Sequence, residues 1–194
     1  MDLWPIFTLA LVLCAWFAFV AVFFVRKKPE AVAERKRDRE SVIGVVLQGL
    51  SYAIVWSVQR RFFSPIFRVN RVLEVILALI TAVIAFGSVW IVMAAVRTLG
   101  KEWSVTARLV EGHKLATDGP YRFVRHPIYI GMLGMLLATG LAISHWAALI
   151  AALVIFFIGT IIRVRSEERL LREQFGAEFD QYKRQVVALI PGLY

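Results

Sequence analysis

An all-α integral membrane protein, with about five transmembrane helices and a C-terminal cytoplasmic amphipathic helix, is the fold the sequence predicts. Three observations carry that prediction. Of 194 residues, 59% are hydrophobic and the mean hydropathy is +0.68, too apolar for a soluble domain of this size. Several apolar runs are long enough to cross roughly 30 Å of hydrocarbon. The basic residues flank those runs, as loops facing anionic lipid do. The net charge of +9 is therefore read as a membrane signature, and nucleic-acid binding is set aside.

The first span runs from about Leu3 to Val25. It lacks a basic leader and a small-residue cleavage site, and Arg26-Lys27-Lys28 follows it directly, so it is expected to be a retained helix with its N-terminus outside the cell membrane. Seven Lys/Arg between Arg26 and Glu40 place that loop in the cytoplasm. The second span covers about Val42 to Val58 and the third about Val72 to Val96. Between them stand Arg60, Arg61, Arg68 and Arg71, on the side where basic residues should be scarce. Interfacial anchoring by long side chains is the simple explanation.

From Arg97 to His126 the chain turns polar and carries Gly100, Gly112, Gly119 and Pro120. An ordered cytoplasmic loop of this length is often functional. Ile128 to Ile162 is nearly continuous apolar sequence interrupted around Gly140 to Trp146, a hairpin whose short arms call for tilt or local thinning. Gly131, Gly134 and Ala138 line one face of its first arm, as in tightly packed helix pairs. Beyond it, Val164, Leu171, Phe175 and Tyr182 form an apolar stripe on a helix from Arg163 to about Lys183. The C-terminus then lies in the cytoplasm. Residues 1–96 supply three spans, and residues 97–194 form the region expected to carry the chemistry.

The loop-to-helix junction at His126 and Pro127 is the first candidate site. Proline suits the first helical turn, and the residue before it is driven out of helical conformation, so His126 should sit just outside the helix start. Free N–H groups there favour a carboxylate ligand, and neighbouring Arg125 should favour a neutral imidazole. An interfacial belt of Tyr and Arg is the alternative reading. Arg163 and Glu167, four apart where the last span leaves the hydrocarbon, are the second candidate; an arginine at that depth needs a partner or ligand. Glu168 with Arg172 and Arg169 with Glu173 fit ordinary pairs on a solvated helix. His113, His126 and His145 lack metal-ligand spacing, no phosphate-cradling glycine motif is present, and the single Cys14 permits no internal disulfide.

Taken in order, Gly112-His113-Lys114-Leu115, Gly119-Pro120-Tyr121, Arg125-His126-Pro127-Ile128-Tyr129 and Arg163 with Glu167-Glu168 resemble the signature of the isoprenylcysteine carboxyl methyltransferase family and its relatives, the phospholipid N-methyltransferases. The likeness covers roughly Trp103 to Pro191. It implies a membrane methyltransferase that uses S-adenosylmethionine without a soluble methyltransferase fold. By position in the motif, His113, Lys114, Leu115 and Ala116 would contact the cofactor through backbone. Tyr121, His126, Pro127, Ile128, Tyr129 and Glu167 would line the same pocket. Arg163 would lie towards the methyl acceptor, as catalytic and substrate-binding residue. Ala116 stands where the family often has valine, which a backbone contact tolerates.

The implied substrate is lipophilic or prenylated and enters from the bilayer. A carboxylate acceptor needs no general base, whereas an amine must first lose a proton, with Glu167 or Glu168 as candidate base. O-methylation of a prenylcysteine-like carboxylate leads. Phospholipid N-methylation, a nicotinamide-dependent sterol-type reductase and a non-enzymatic interaction protein remain as alternatives. Oligomeric state is open.

Overall fold

A computed structural model describes residues 3–24, 34–60, 70–100, 103, 108–110 and 114–189. Five apolar helices alternate in direction. They are α1 (Leu3–Phe24), α2 (Glu40–Ser57), α3 (Arg71–Leu99), α4 (Pro127–Ile143) and α5 (Trp146–Phe175). All but α4 are long and apolar enough to cross a membrane. The 17 residues of α4 rise only about 25 Å, less than a hydrocarbon core. The chain is thus a multi-pass helical membrane protein with four candidate spans and one shorter apolar helix.

Burial follows the lipid-solvated logic. Side chains such as Phe17, Val83 and Trp90 point outward, while the core is built of small and medium residues. One cluster joins Val12 and Ala15 of α1, Val92 of α3 and Met135 and Ala138 of α4. A second joins Val55 of α2, Leu136 of α4 and Phe156 of α5. Without a hydrophobic force between helices in lipid, close backbone approach and interhelical hydrogen bonds hold such bundles. Both are present: Trp16 Nε1 donates to Thr139 Oγ1 at 3.0 Å, and Tyr52 OH donates to the Met132 carbonyl at 2.6 Å.

The small-residue face of α4 packs against α3, not against the other arm of the expected hairpin. A Cβ on Gly131 would meet Val92 Cγ2 at 2.3 Å and the Ser88 carbonyl at 2.9 Å. One on Gly134 would meet Ser88 Oγ at 2.1 Å. Meanwhile α5 lies chiefly along α2. At that crossing, a Cβ on Gly159 would come within 2.9 Å of the Gly44 carbonyl, and one on Gly44 would overlap the Arg163 side chain at 2.4 Å.

Two further departures concern the ends of the bundle. The polar segments expected as loops contribute an antiparallel ribbon, β1 (Glu34–Arg37) with β2 (Arg108–Val110), which ties the first and second polar loops together. The C-terminal amphipathic helix is not continuous. Gly176, with φ +51°, ends α5, and a separate helix α6 (Ala177–Gln185) follows. Left-handed backbone at a helix end is glycine's usual place, and the turn folds Phe179 and Tyr182 inward, where both are buried.

At the opposite end of the bundle, Arg60 is no simple interfacial anchor. Its guanidinium donates to the carbonyls of Ser144 at 2.9 Å, Leu141 at 3.0 Å and Ala142 at 2.6 Å, and its amide to Ile143 at 3.0 Å. It caps the carbonyl end of α4, where a cation also suits the helix dipole. Arg61 and Arg68 lie outside the described residues; Arg71 is exposed at the start of α3. Arg60→Ala is expected to cost about 1.5–3 kcal/mol, the scale of charged hydrogen bonds, and Arg60→Lys to recover only part because an ammonium lacks the planar fork. Thermal unfolding in detergent measures both.

Candidate functional site

The end of the bundle where α4 begins and α5 leaves its apolar stretch gathers a buried charged cluster. His126 is the residue before the first turn of α4, with Pro127 at that turn's first position, as the proline rules require. Its side chain makes no capping bond but faces two carboxylates on α5. Nδ1 is 3.3 Å from Glu167 Oε2. Nε2 is 3.5 Å from Glu168 Oε1, too far for a well-formed hydrogen bond, and among the described residues it is buried without another partner. Burial works against a charged imidazole, but the two carboxylates outweigh it and raise the His126 pKa above its usual value. The neutral ring expected beside Arg125 is therefore not what the two carboxylates favour; Arg125 itself pairs with Glu168.

Glu167 sits at the centre. Tyr129 OH donates to its Oε1, His126 faces Oε2, and Arg163 Nη2 lies 3.7 Å from Oε1. The Tyr129 ring stacks on His126 at 5.7 Å between centroids, and the Arg163 guanidinium lies over the Tyr129 ring, 4.9 Å from its centroid, a cation–π distance. Arg163 is buried, and its Nη1 donates to Gln48 Oε1 of α2 at 2.9 Å. The structure thus brings His126, Tyr129, Arg163 and Glu167 together. Pro127 is buried and Ile128 half-buried in the same first turn, where Ile128 packs on the α1–α3–α4 core.

Glu168 belongs to a second layer that closes the junction from outside. Arg125 Nη2 and Nε donate to its Oε1 at 2.7 and 2.9 Å, and Lys183 Nζ of α6 to Oε2 at 2.5 Å. The pairing with Arg172 expected from helical spacing is not what forms: Arg172 reaches Asp180 at 3.1 Å. Likewise Arg169 reaches across to Asp38 at 2.7 Å and Glu40 at 2.5 Å. The tail after α6 runs beside the junction, with Arg125 and His126 amides donating to the Val187 and Ala188 carbonyls at 2.8 and 3.0 Å. Tyr182 OH donates to the Tyr121 carbonyl at 2.6 Å. Tyr121, in the 3-10 turn Gly119–Arg122, is buried; burial, with Glu167 and Tyr182 nearby, pushes its phenol well up.

The remaining expected residues are less closely placed. His113 lies outside the described residues, as do Ile190 and Pro191. Lys114 is exposed, and Leu115 and Ala116 are half-buried in irregular chain leading to the 3-10 turn. Among the described residues, no hydrogen bond or ion pair ties these three to the Glu167 cluster. Among the described residues, no group of acidic, histidine or cysteine side chains is arranged to hold a metal. One member of the site, Gln48, was missed from the sequence, although it carried a visible signal, a polar amide within an apolar span. The pairing of Arg125 with Glu168, 43 positions apart, carried none.

Fold and site together define a multi-pass helical membrane protein with a buried, charge-rich centre at one end. The chain belongs to the phospholipid methyltransferase family, whose sequence model matches residues 74–178, more than half of its length. That stretch contains α4, α5 and every member of the inner cluster except Gln48. The chain is 30% identical over 99 residues to protein-S-isoprenylcysteine O-methyltransferase B of Arabidopsis thaliana, covering 50% of each protein. It is 33% identical over 132 residues to the nickel-cobalt-cadmium resistance protein NccN of Alcaligenes xylosoxydans xylosoxydans, covering 61% of this chain and 60% of that protein. It is 38% identical over 79 residues to methanethiol S-methyltransferase 1 of Bradyrhizobium diazoefficiens, covering 37% and 24%. The chain spans about half, or less, of the length of the isoprenylcysteine relatives it matches first.

Proposed function

We propose that this protein is an S-adenosylmethionine-dependent membrane methyltransferase that O-methylates the carboxylate of a lipophilic, prenylcysteine-like acceptor. The observation that carries the reading is Glu167, a carboxylate held among His126, Tyr129 and Arg163 within the family-matched segment. These residues fit the cofactor. Glu167 offers a partner for its positive groups, the incompletely bonded His126 Nε2 offers a polar contact, and the first turn of α4 offers free N–H groups to its carboxylate. Tyr121, Pro127, Ile128 and Tyr129 would complete that wall. His113 to Ala116 would close it through backbone contacts.

When bound, the cofactor supplies an electrophilic methyl group on a sulfonium sulfur. The protein's part is to position the acceptor in line and exclude water, because charge diminishes as the methyl moves. Arg163 orients an acceptor carboxylate through its planar fork. Charge balance favours an acid: four basic side chains, Arg125, His126, Arg163 and Lys183, surround two carboxylates. A cationic amine would meet the surplus positive charge and would need a base, while Glu167 and Glu168 are already engaged by cations. Phospholipid methylation, the activity in the family's name, is the second reading. In this proposal the site end faces the cytoplasm with the C-terminus, the N-terminus lies outside, and residues 97–194 hold most of the chemistry.

Purified protein in detergent tests the reading by binding of S-adenosylmethionine against NADPH, then by methyl transfer to a farnesylcysteine analogue and to phosphatidylethanolamine. Failure to bind S-adenosylmethionine sinks it; transfer to the phospholipid alone replaces it with the second reading. Arg163→Ala is expected to lower turnover by about tenfold or more through lost orientation, with cofactor affinity little changed.

A further inference from the structure

Gln48 lies outside the family-matched segment, on a span that would ordinarily be counted as an anchor. Yet it is 1% exposed and makes two interhelical hydrogen bonds. Its Oε1 accepts from Arg163 Nη1 at 2.9 Å, and its Nε2 donates to Thr160 Oγ1 at 2.9 Å. The amide can sit only one way round. A guanidinium is donor-only, so the oxygen must face Arg163, and the amide nitrogen is left for the threonine hydroxyl. The approach that permits this contact is built into the backbone. Gly44, one turn before Gln48, leaves the space that the Arg163 stem fills, and Gly159, one residue before Thr160, lets α5 touch α2.

A glutamate in this place would make the stronger bond to Arg163. It would also add a second negative charge next to Arg163, beside Glu167. A neutral amide fixes the guanidinium's direction and adds no charge of its own beside Glu167, whose Oε1 lies 3.7 Å from Arg163 Nη2 and accepts from Tyr129.

We infer that Gln48 is a positioning and specificity-determining residue: it aims Arg163 from the second span and, by being uncharged, keeps the site selective for an anionic acceptor group. The inference rests on the proposed methyl transfer and deepens it, because it makes the acceptor's charge depend on a residue in α2. The N-terminal half of the chain is then part of the acceptor site as well as its anchor.

The test uses the full chain in detergent, with S-adenosylmethionine as donor and a farnesylcysteine analogue as acid acceptor. Gln48→Glu keeps the size and the accepting oxygen. It is expected to raise the acceptor KM by about tenfold or more, the scale on which a close charge changes affinity, while the Kd for S-adenosylmethionine stays within about twofold. The methyl ester of the same analogue, which carries no charge, should lose affinity as an inhibitor far less than the acid does. Gln48→Asn, which retreats from Arg163 without adding charge, should lower kcat while leaving discrimination between acid and ester intact. A Gln48→Glu protein whose acceptor KM matches wild type, or whose KM and cofactor Kd rise together, overturns the inference. Failure of the functional reading appears separately, as a wild-type protein that transfers no methyl to the acid.

Discussion

Glu167→Ala is expected to weaken S-adenosylmethionine binding by at least about thirtyfold, because removing one partner of a buried charge arrangement typically costs 2–5 kcal/mol. Glu167 is the point on which Tyr129, His126 and Arg163 converge, so under the proposed function its loss would remove a cofactor contact and also free the groups around it. Two positive groups would then face a cationic cofactor with no carboxylate between them. Glu167→Gln separates charge from shape: the Tyr129 hydroxyl can still donate to the amide oxygen, so a similarly large loss would assign the effect to charge. Folding should suffer less than binding. His126 can respond by giving up its proton, since the carboxylates are what hold its pKa up, and Arg163 keeps its bond to Gln48. Calorimetric titration of cofactor into the purified variant, alongside its thermal midpoint, distinguishes the two. A dissociation constant within about twofold of wild type would remove Glu167 from the binding site.

Which parts of this arrangement could be read from sequence depends on how local the physics is. The apolar helices were legible because lipid forces length and composition on any span, and α1, α2 and α3 fall within a few residues of the expected limits. Arg163 and Glu167 were legible because four residues make one helical turn, and His126 because Pro127 dictates where α4 starts. What a helix face packs against was not legible. Gly131 and Gly134 mark a close approach, but nothing local says that the partner is α3.

The role of Arg60 was not legible for a related reason. The positive-inside rule counts charge and is blind to a guanidinium that is spent on carbonyls, as Arg60 is on α4. Gly176 was a visible stop signal that the continuing apolar stripe masked; Tyr182 is buried from the separate helix α6. Glu168 looked like a surface residue with Arg172 in reach. Its actual partners come from the loop before α4 and from α6, and no periodicity links segments so far apart.

That last pair carries the largest expected effect on stability. Glu168→Ala is expected to cost about 3–5 kcal/mol, the penalty for leaving a buried charge without its partner. Arg125 is buried and donates twice to a single Glu168 oxygen. Unlike His126, it cannot relieve the loss by shedding a proton. Its remaining bonds, to the carbonyls of Lys183 and Val186, satisfy donors but supply no counter-charge. The damage should also spread. Glu168 joins the segment carrying His126 to α6, so its loss loosens the tail that receives the Arg125 and His126 amides. Lys183→Ala is the control. It removes the other half of the same network, but Lys183 is 46% exposed, so about 1 kcal/mol or less is expected from a solvent-screened pair. Glu168→Gln should fall between the two, keeping an accepting oxygen for Arg125 without its charge. Thermal unfolding of the three variants in one detergent gives the order. Equal midpoints for Glu168→Ala and Lys183→Ala would mean that Arg125 finds water on losing its carboxylate, and that the junction is far more open than its burial indicates.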